Sequence, residues 1–169
     1  MRWSAFFLWL IPAISFAQNW NIDLDKDVFG VPWGASESEL VEALGEPNGY
    51  FNISRFRKLV YYGKSHSFLL VNNQLKGYYL HEYNQTNLLN ESVVVNQEFD
   101  RATVTINGKD IMDKSFADVE SALGVDLGDP DYSTSYITDF VSVEFSFSST
   151  TIAASRSYRL GGLKILYQL

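Results

Sequence analysis

The sequence predicts an α+β protein made of two tandem repeats, each a short helix followed by antiparallel strands, with the helices packed on one sheet face. Two observations lead to this prediction. A helical pattern with both ends marked occupies residues 36–45, and the same pattern returns at residues 115–124. After each pattern, strand-like segments are separated by turn signals. We therefore expect residues 18–92 to form the first repeat and residues 93–169 the second.

Residues 1–17 have the features of a cleaved secretory signal. Arg2 supplies a positive start, an apolar run follows, and Ser15-Phe16-Ala17 ends in a small residue. The run is too short to span a bilayer comfortably. The chain contains no cysteine, so a lipid anchor on cysteine is excluded. We expect cleavage near Ala17, release into the periplasm or the medium, and no membrane anchor.

The net charge of −7 argues against nucleic acid as a partner, because nucleic-acid binding depends on basic surfaces that neutralise phosphates. The lack of cysteine also means that no disulfide holds this exported chain together, so packing alone must stabilise it. The oligomeric state does not follow from composition.

The first helical pattern contains its own start and stop signals. Ser36 is suited to be the N-cap, and Glu39 to complete a capping box with it. Gly45 favours the left-handed conformation that ends helices, and a proline two residues later prevents continuation. A helix this short is marginal in water and must pack on a sheet. Leu44 and its counterpart Leu123 are expected to be equivalent core residues.

Between the helices, several segments alternate as strands do. Trp20, Ile22 and Leu24 predict an edge strand, and Asn72-Asn73 predicts a two-residue hairpin turn because asparagine tolerates positive φ. The polar residues 84–92 predict a loop between the repeats.

After the second helix, the clearest alternation belongs to Val141, Val143, Phe145 and Phe147, which predict a strand with one buried face. Gly161-Gly162 is expected to separate the last strand from the one before it.

The pattern Gly34, Ser36, Glu39, Leu40, Leu44, Gly45 and Pro47 resembles the opening of two groups of small envelope proteins. These are the small outer-membrane lipoprotein family, which includes the barrel-assembly lipoprotein E, and the β-lactamase inhibitory protein-like domains. The resemblance implies a helical segment packed on an antiparallel sheet, a unit that occurs twice in tandem in the inhibitory proteins. This chain departs from the first group in lacking the lipidation cysteine and from the second in lacking its disulfides.

The chain carries weak signals for chemistry. Asp23, Asp25 and Asp27 begin like a calcium loop, but Val28 replaces the required glycine and the closing glutamate is missing. The cluster is interpreted as a solvated acidic edge, with a bound cation left as an alternative. No cofactor motif and no metal or catalytic site is predicted.

The aromatic content of 15% suggests a binding surface. Tyr79, His81 and Tyr83 share one strand parity, and Tyr62 joins them if the strands pair in the assumed register. Tyrosine offers a large apolar ring with a polar end, as protein-binding and sugar-binding surfaces use. These four residues are the predicted binding site, and the predicted partner is another envelope protein. An envelope glycan is the alternative ligand, and a hydrolase using His66 or His81 is a weaker alternative.

Overall fold

The computed structural model describes residues 20–81, 97–100, 102–152 and 155–168, which form two sheets and three short helices. The strands are β1 (Asn21–Asp23), β2 (Asp27–Val28), β3 (Val31–Pro32), β4 (Gly49–Ser54), β5 (Arg57–Tyr62), β6 (His66–Val71), β7 (Gln74–Leu80), β8 (Thr105–Ile106), β9 (Lys109–Asp110), β10 (Ser133–Ile137), β11 (Val141–Ile152) and β12 (Ser155–Tyr167). The helices are α1 (Glu37–Leu44), α2 (Gln97–Asp100) and α3 (Phe116–Leu123).

The larger sheet has seven strands in the order β10-β11-β12-β7-β6-β5-β4, and all neighbours are antiparallel. The smaller sheet has the order β3-β2-β1-β8-β9, with one parallel pair between β1 and β8. Both sheets contain strands from the two sides of the predicted boundary between residues 92 and 93.

The predicted α+β tandem repeat is wrong. Half of the described residues are strand, and the two longer helices have eight residues each. The prediction gave each helix a sheet of its own, but the strands that follow the two helices join in one seven-stranded sheet. The architecture is mostly β. Trp20 to Leu24 also differs from its prediction, because β1 lies in the middle of the smaller sheet and not at its edge.

The core lies between the two sheets. Val60, Phe68, Tyr78, Ile165 and Val143 form one cross-strand row of the larger sheet, and none of them is exposed. We call this side of the larger sheet the inner face. The smaller sheet packs on it through the Phe29 ring, which lies edge-on to the Tyr78 ring at 5.2 Å. Leu40 and Leu44 of α1 and Phe99 of α2 belong to the same buried cluster.

The capping signals at the helix starts are confirmed, whereas Gly45 ends α1 with a positive φ of 83° but with ψ of −174°, outside the left-handed conformation expected of it. The Ser36 side chain accepts a hydrogen bond from the Glu39 amide, and the Glu39 carboxylate accepts one from the Ser36 amide at 2.7 Å. Ser115 caps α3 in the same position, and Gly124 follows that helix in the left-handed conformation. Leu123 is only half-buried, unlike Leu44, so their predicted equivalence is wrong.

Two predicted strand features hold and one does not. Asn72 and Asn73 have φ of 51° and 62° and connect β6 to β7, as predicted. The apolar side of β11 is buried, as predicted. The Gly161-Gly162 pair lies within β12, where Ser146 pairs with Gly162 and Phe147 with Leu160. Gly161 is therefore the extra residue of a β-bulge, which bends the strand without ending it.

Candidate binding site on the outer sheet face

The side of the larger sheet opposite the core, which we call the outer face, carries a row of polar and aromatic residues. Tyr61, Ser67, Tyr79, Lys164 and Glu144 are successive cross-strand partners from β5 to β11. Each lies next in sequence to a residue of the buried inner row. Because successive side chains of a strand point to opposite faces, this row faces away from the core.

Tyr79 and His81 form the centre of this site. Both are half-buried, and their rings stack at 5.9 Å between centroids with an angle of 14°. The Ser67 hydroxyl lies 3.3 Å from His81 Nε2. Burial lowers the pKa of His81, so the imidazole is neutral at pH 7. The stacking and the hydrogen bond hold both rings in one orientation.

Charged groups border the aromatic pair. Lys164 Nζ lies 3.2 Å from a Glu144 carboxylate oxygen. Burial raises the pKa of the Tyr79 phenol, while the positive charges of Lys164 and Arg57 oppose this rise and Glu144 adds to it. Tyr79 therefore stays protonated at pH 7 and can donate a hydrogen bond to a ligand.

A second row on the outer face is mainly apolar. It runs from Phe51 through Leu59, Leu69, Gly77, Leu166 and Ser142 to Ile137. Leu69 in its middle is buried, whereas the ends are exposed, with 45% of Phe51 and 64% of Ile137 accessible. The outer face thus offers a polar-aromatic strip at Tyr79, Lys164 and Glu144 and an apolar strip exposed at its ends, whereas Tyr61, Ser67 and Leu69 are buried.

Two of the four predicted site residues are brought together. Tyr79 and His81 lie on the outer face in direct contact. Tyr62 lies on the inner face, is fully buried, and donates a hydrogen bond from its hydroxyl to the Gly45 carbonyl at 2.8 Å. The register assumption that joined Tyr62 to the site is therefore not met, and a partner at the surface does not reach it. Tyr83 lies outside the described residues.

Sequence reasoning missed the polar neighbours of the site. Ser67, Lys164 and Glu144 have the right strand parity, but which strands lie side by side is a long-range property that alternation does not reveal. The pairing of β12 with β7 joins residues far apart in the chain and brings Lys164 beside Tyr79.

His66, the other histidine, belongs to the core. It is 2% exposed, and its Nδ1 lies 2.7 Å from the Tyr78 hydroxyl. Burial lowers the pKa of His66 to about 4, although a hydrogen bond with the Phe99 backbone and the charge of Asp100 act in the opposite direction. Asp100 accepts hydrogen bonds from the Lys64 and Ser65 amides and so fixes the turn before β6. These groups form a structural network beneath the sheet.

The acidic segment between β1 and β2, from Asp23 to Asp27, forms hydrogen bonds with its own backbone. The Asp23 carboxylate accepts a hydrogen bond from the Asp25 amide and contacts Lys26 Nζ at 3.2 Å, and Asp27 accepts one from the Gly30 amide. In the described part of the chain, no three His, Asp or Glu side chains are grouped to hold a metal ion. No helix in that part is both long and apolar enough to cross a membrane.

Comparison with known proteins gives little. No family model matches the chain, and no curated protein matches it. Among solved structures, the chain is similar to the crystal structure of an extracellular protein containing a SCP domain from Bacillus anthracis str. Ames, with 13% identity and a TM-score of 0.38. The match covers 79% of this chain and 43% of that one, so the chain spans less than half the length of this neighbour. A similarity this low assigns neither a family nor a function.

Proposed function

We propose that this is an exported, non-enzymatic binding protein that uses the outer face to bind a protein partner of the cell envelope. The observation that supports this most is the fixed Tyr79–His81 ring pair beside the Lys164–Glu144 ion pair. Tyrosine, with its large and rigid ring, is enriched among the residues that dominate binding energy at protein interfaces. Here the ring is held in position before binding, so little side-chain entropy is lost when a partner arrives.

The geometry favours a binding role over hydrolysis. Ser67 and His81 resemble a nucleophile and its base, but the Ser67 side chain is fully buried and out of reach of a substrate. His66 is buried and bonded to Tyr78, which leaves it no access to a substrate either. The proposal includes two roles, that of an inhibitor and that of an accessory of envelope assembly.

An envelope glycan remains the alternative ligand. Sugars bind by stacking on an exposed ring face. One face of the Tyr79 ring already lies against His81, which leaves the other face for a sugar. The mixed charges and the neighbouring apolar strip favour a protein.

The export part of the proposal has its own test. The exported protein, measured by intact mass spectrometry, should begin at Gln18. An abundant folded form that begins at Met1 would contradict it.

The binding part is tested by alanine substitution at Tyr79 and His81, with Tyr132→Ala as the matched control. Tyr132 is 51% exposed and lies beyond the site, next to β10. Each purified variant is used to capture partners from a periplasmic extract, and captured proteins are quantified by mass spectrometry. We expect a protein held by the wild type and the control to be lost with Tyr79→Ala. When affinity for that purified protein is measured, Tyr79→Ala should cost about 2 kcal/mol of binding free energy or more, as at a hot spot.

Thermal unfolding of the same variants separates binding from folding. Tyr79→Ala should leave the protein folded because the residue is only half-buried, whereas Tyr62→Ala should cost ~3–5 kcal/mol of stability as a core truncation. The alternative would replace the proposal if the wild type binds soluble envelope glycans and captures no protein partner. Tyr79→Ala should then abolish the glycan binding. Unchanged capture by both site variants would refute the proposal.

A further inference from the structure

The second surface of interest is the free edge of the larger sheet at β4. This strand has six residues, Gly49–Ser54, and none of them is charged or proline. The edges of the smaller sheet differ: β3 has two residues and ends in Pro32, and β9 has two residues, Lys109 and Asp110. Proline, charge and shortness are the features by which proteins protect sheet edges from pairing. Strand β4 lacks all three, although a bulge between Asn52 and Ser54 limits its regular part to the first four residues.

Large apolar side chains are concentrated along this edge. The exposed fractions are 51% for Tyr50, 45% for Phe51, 45% for Ile53 and 58% for Phe56 in the turn to β5. The main chain at the edge and the side chains on both faces are therefore open to a partner at the same place. Exposed apolar patches of this kind mark interaction surfaces.

Charge of opposite sign lies at the two ends of β4. Glu42 and Glu46 are exposed and share a groove of about 590 Å³ with Tyr50, at the end where the strand begins. Arg55 and Arg57 line a second groove, of about 370 Å³, at the turn where the strand ends. In the part of the chain that the structure describes, none of these four side chains forms an ion pair, whereas Lys58 between the grooves is paired with Glu37.

We propose that two copies of this chain associate through antiparallel pairing of their β4 strands. A two-fold axis perpendicular to the sheet, between the two β4 strands and level with their middles, lays the acidic end of each copy against the basic end of the other. The contact is then self-complementary, as a closed two-fold dimer requires. It joins the two larger sheets into one and covers Tyr50, Phe51 and Ile53 of both copies.

The presence of both charge signs favours a second copy over an unrelated acidic peptide. An acidic segment would satisfy the two arginines but would be repelled by Glu42 and Glu46. The second copy satisfies both ends at once. The pairing covers Phe51 at one end of the apolar strip but leaves Tyr79 and His81 on the outer face free, so the dimer can be tested whether or not the proposed function holds.

The first test is the mass of the mature protein in solution, measured by sedimentation velocity over a range of concentrations. We expect a concentration-dependent dimer for the wild type. Phe51→Lys introduces a charge at the centre of the edge and should weaken association by at least about tenfold. Ile137→Lys is the matched control, because it places the same charge on an exposed residue of β10 at the opposite edge and should leave the dimer intact. Circular dichroism establishes that each variant is folded.

The second test uses charge reversal. Arg55→Glu with Arg57→Glu, or Glu42→Lys with Glu46→Lys, should each give a monomer because like charges then meet at both ends of the dimer. An equimolar mixture of the two variants should dimerise again, since every contact in the mixed pair joins opposite charges. A wild type that is monomeric at all concentrations, or folded charge variants that each dimerise as well as the wild type, would overturn the proposal.

Discussion

His66 couples the stability of the core to pH. Its pKa falls from 6.5 to about 4 on folding, chiefly because burial disfavours the charged ring. Between these values the unfolded chain binds a proton that the folded chain does not. Stability therefore falls as the pH drops from about 6.5 to 4, and the effect is complete below that range. The size of the loss is about 3 kcal/mol at most, at 1.4 kcal/mol for each pH unit.

The measurement is urea unfolding at pH 7 and pH 4.5 for the wild type and His66→Gln. Glutamine keeps a polar side chain near the Tyr78 hydroxyl but does not titrate. The stability difference between the two pH values should therefore shrink in this variant. His81→Gln is the control; it should reduce the difference less, because His81 is half-buried and its folded-state pKa is lowered without the full burial of His66. An equal pH dependence of stability in the wild type and His66→Gln would show that His66 does not cause the pH effect.

At the scale of the elements, α1 and α3 share their caps but differ in how deeply they pack. Leu40 and Leu44 of α1 are buried, whereas α3 buries Phe116 and Val119 and leaves Leu123 half-exposed. Leu44→Ala should cost ~2–5 kcal/mol of unfolding free energy, and Leu123→Ala clearly less. Ser36→Ala removes one cap and should cost about 1 kcal/mol. Unfolding in urea measures all three, and a loss at Leu123 as large as that at Leu44 would mean that α3 docks differently.

The elements that the sequence predicted correctly are those with local causes. A capping serine, a glycine at a helix end and a pair of asparagines in a turn each act on residues no more than four positions away in the sequence. Strand alternation in β11 is equally local. Strands β2, β3 and β9 have two residues each, which is too short for any alternation to be recognised. Gly161 carried a misleading signal, since a glycine in a strand indicates a bulge as well as a turn.

For the whole molecule, the pairing of β7 with β12 decides the architecture. It joins the four strands that follow α1 to the three that follow α3. No local feature of Gly77 or Leu166 shows that they are partners, so the sequence predicted a separate sheet for each repeat, whereas the strands that follow α1 and α3 form one sheet. The same lack of long-range information put Tyr62 on the wrong face of the site. Tyr79 lies in β7 and His81 directly follows it, so strand parity alone was enough to place the two side chains on the same face.

This pairing also predicts how the protein unfolds. A Cβ atom added to Gly77 would lie 2.9 Å from the Ile165 carbonyl oxygen, which is main chain and cannot rotate away. Gly77→Ala should therefore push β7 from β12 and cost ~1–3 kcal/mol, as overpacking does. Because the strands that follow α1 and those that follow α3 belong to one sheet, we expect one unfolding transition, shifted as a whole, by calorimetry.

Ser142→Ala is the control, since Ser142 pairs with Leu166 on the other side of β12 and is half-buried without such a close contact. It should leave the transition nearly unchanged. Two separate transitions in the Gly77 variant would instead indicate that the halves on either side of the pairing unfold independently.

The parallel contact between β1 and β8 has a consequence for the order in which the molecule assembles. Asn21 and Thr105 are 84 residues apart, yet their side chains are hydrogen-bonded at 2.9 Å. During synthesis β1 emerges long before β8, and the hairpin that β1 forms with β2 is too short to be stable alone. The entropy of closing so long a loop must be overcome before this contact forms. We expect the smaller sheet to close late, after the larger sheet has formed, so β1 is among the last of the described strands to reach its place.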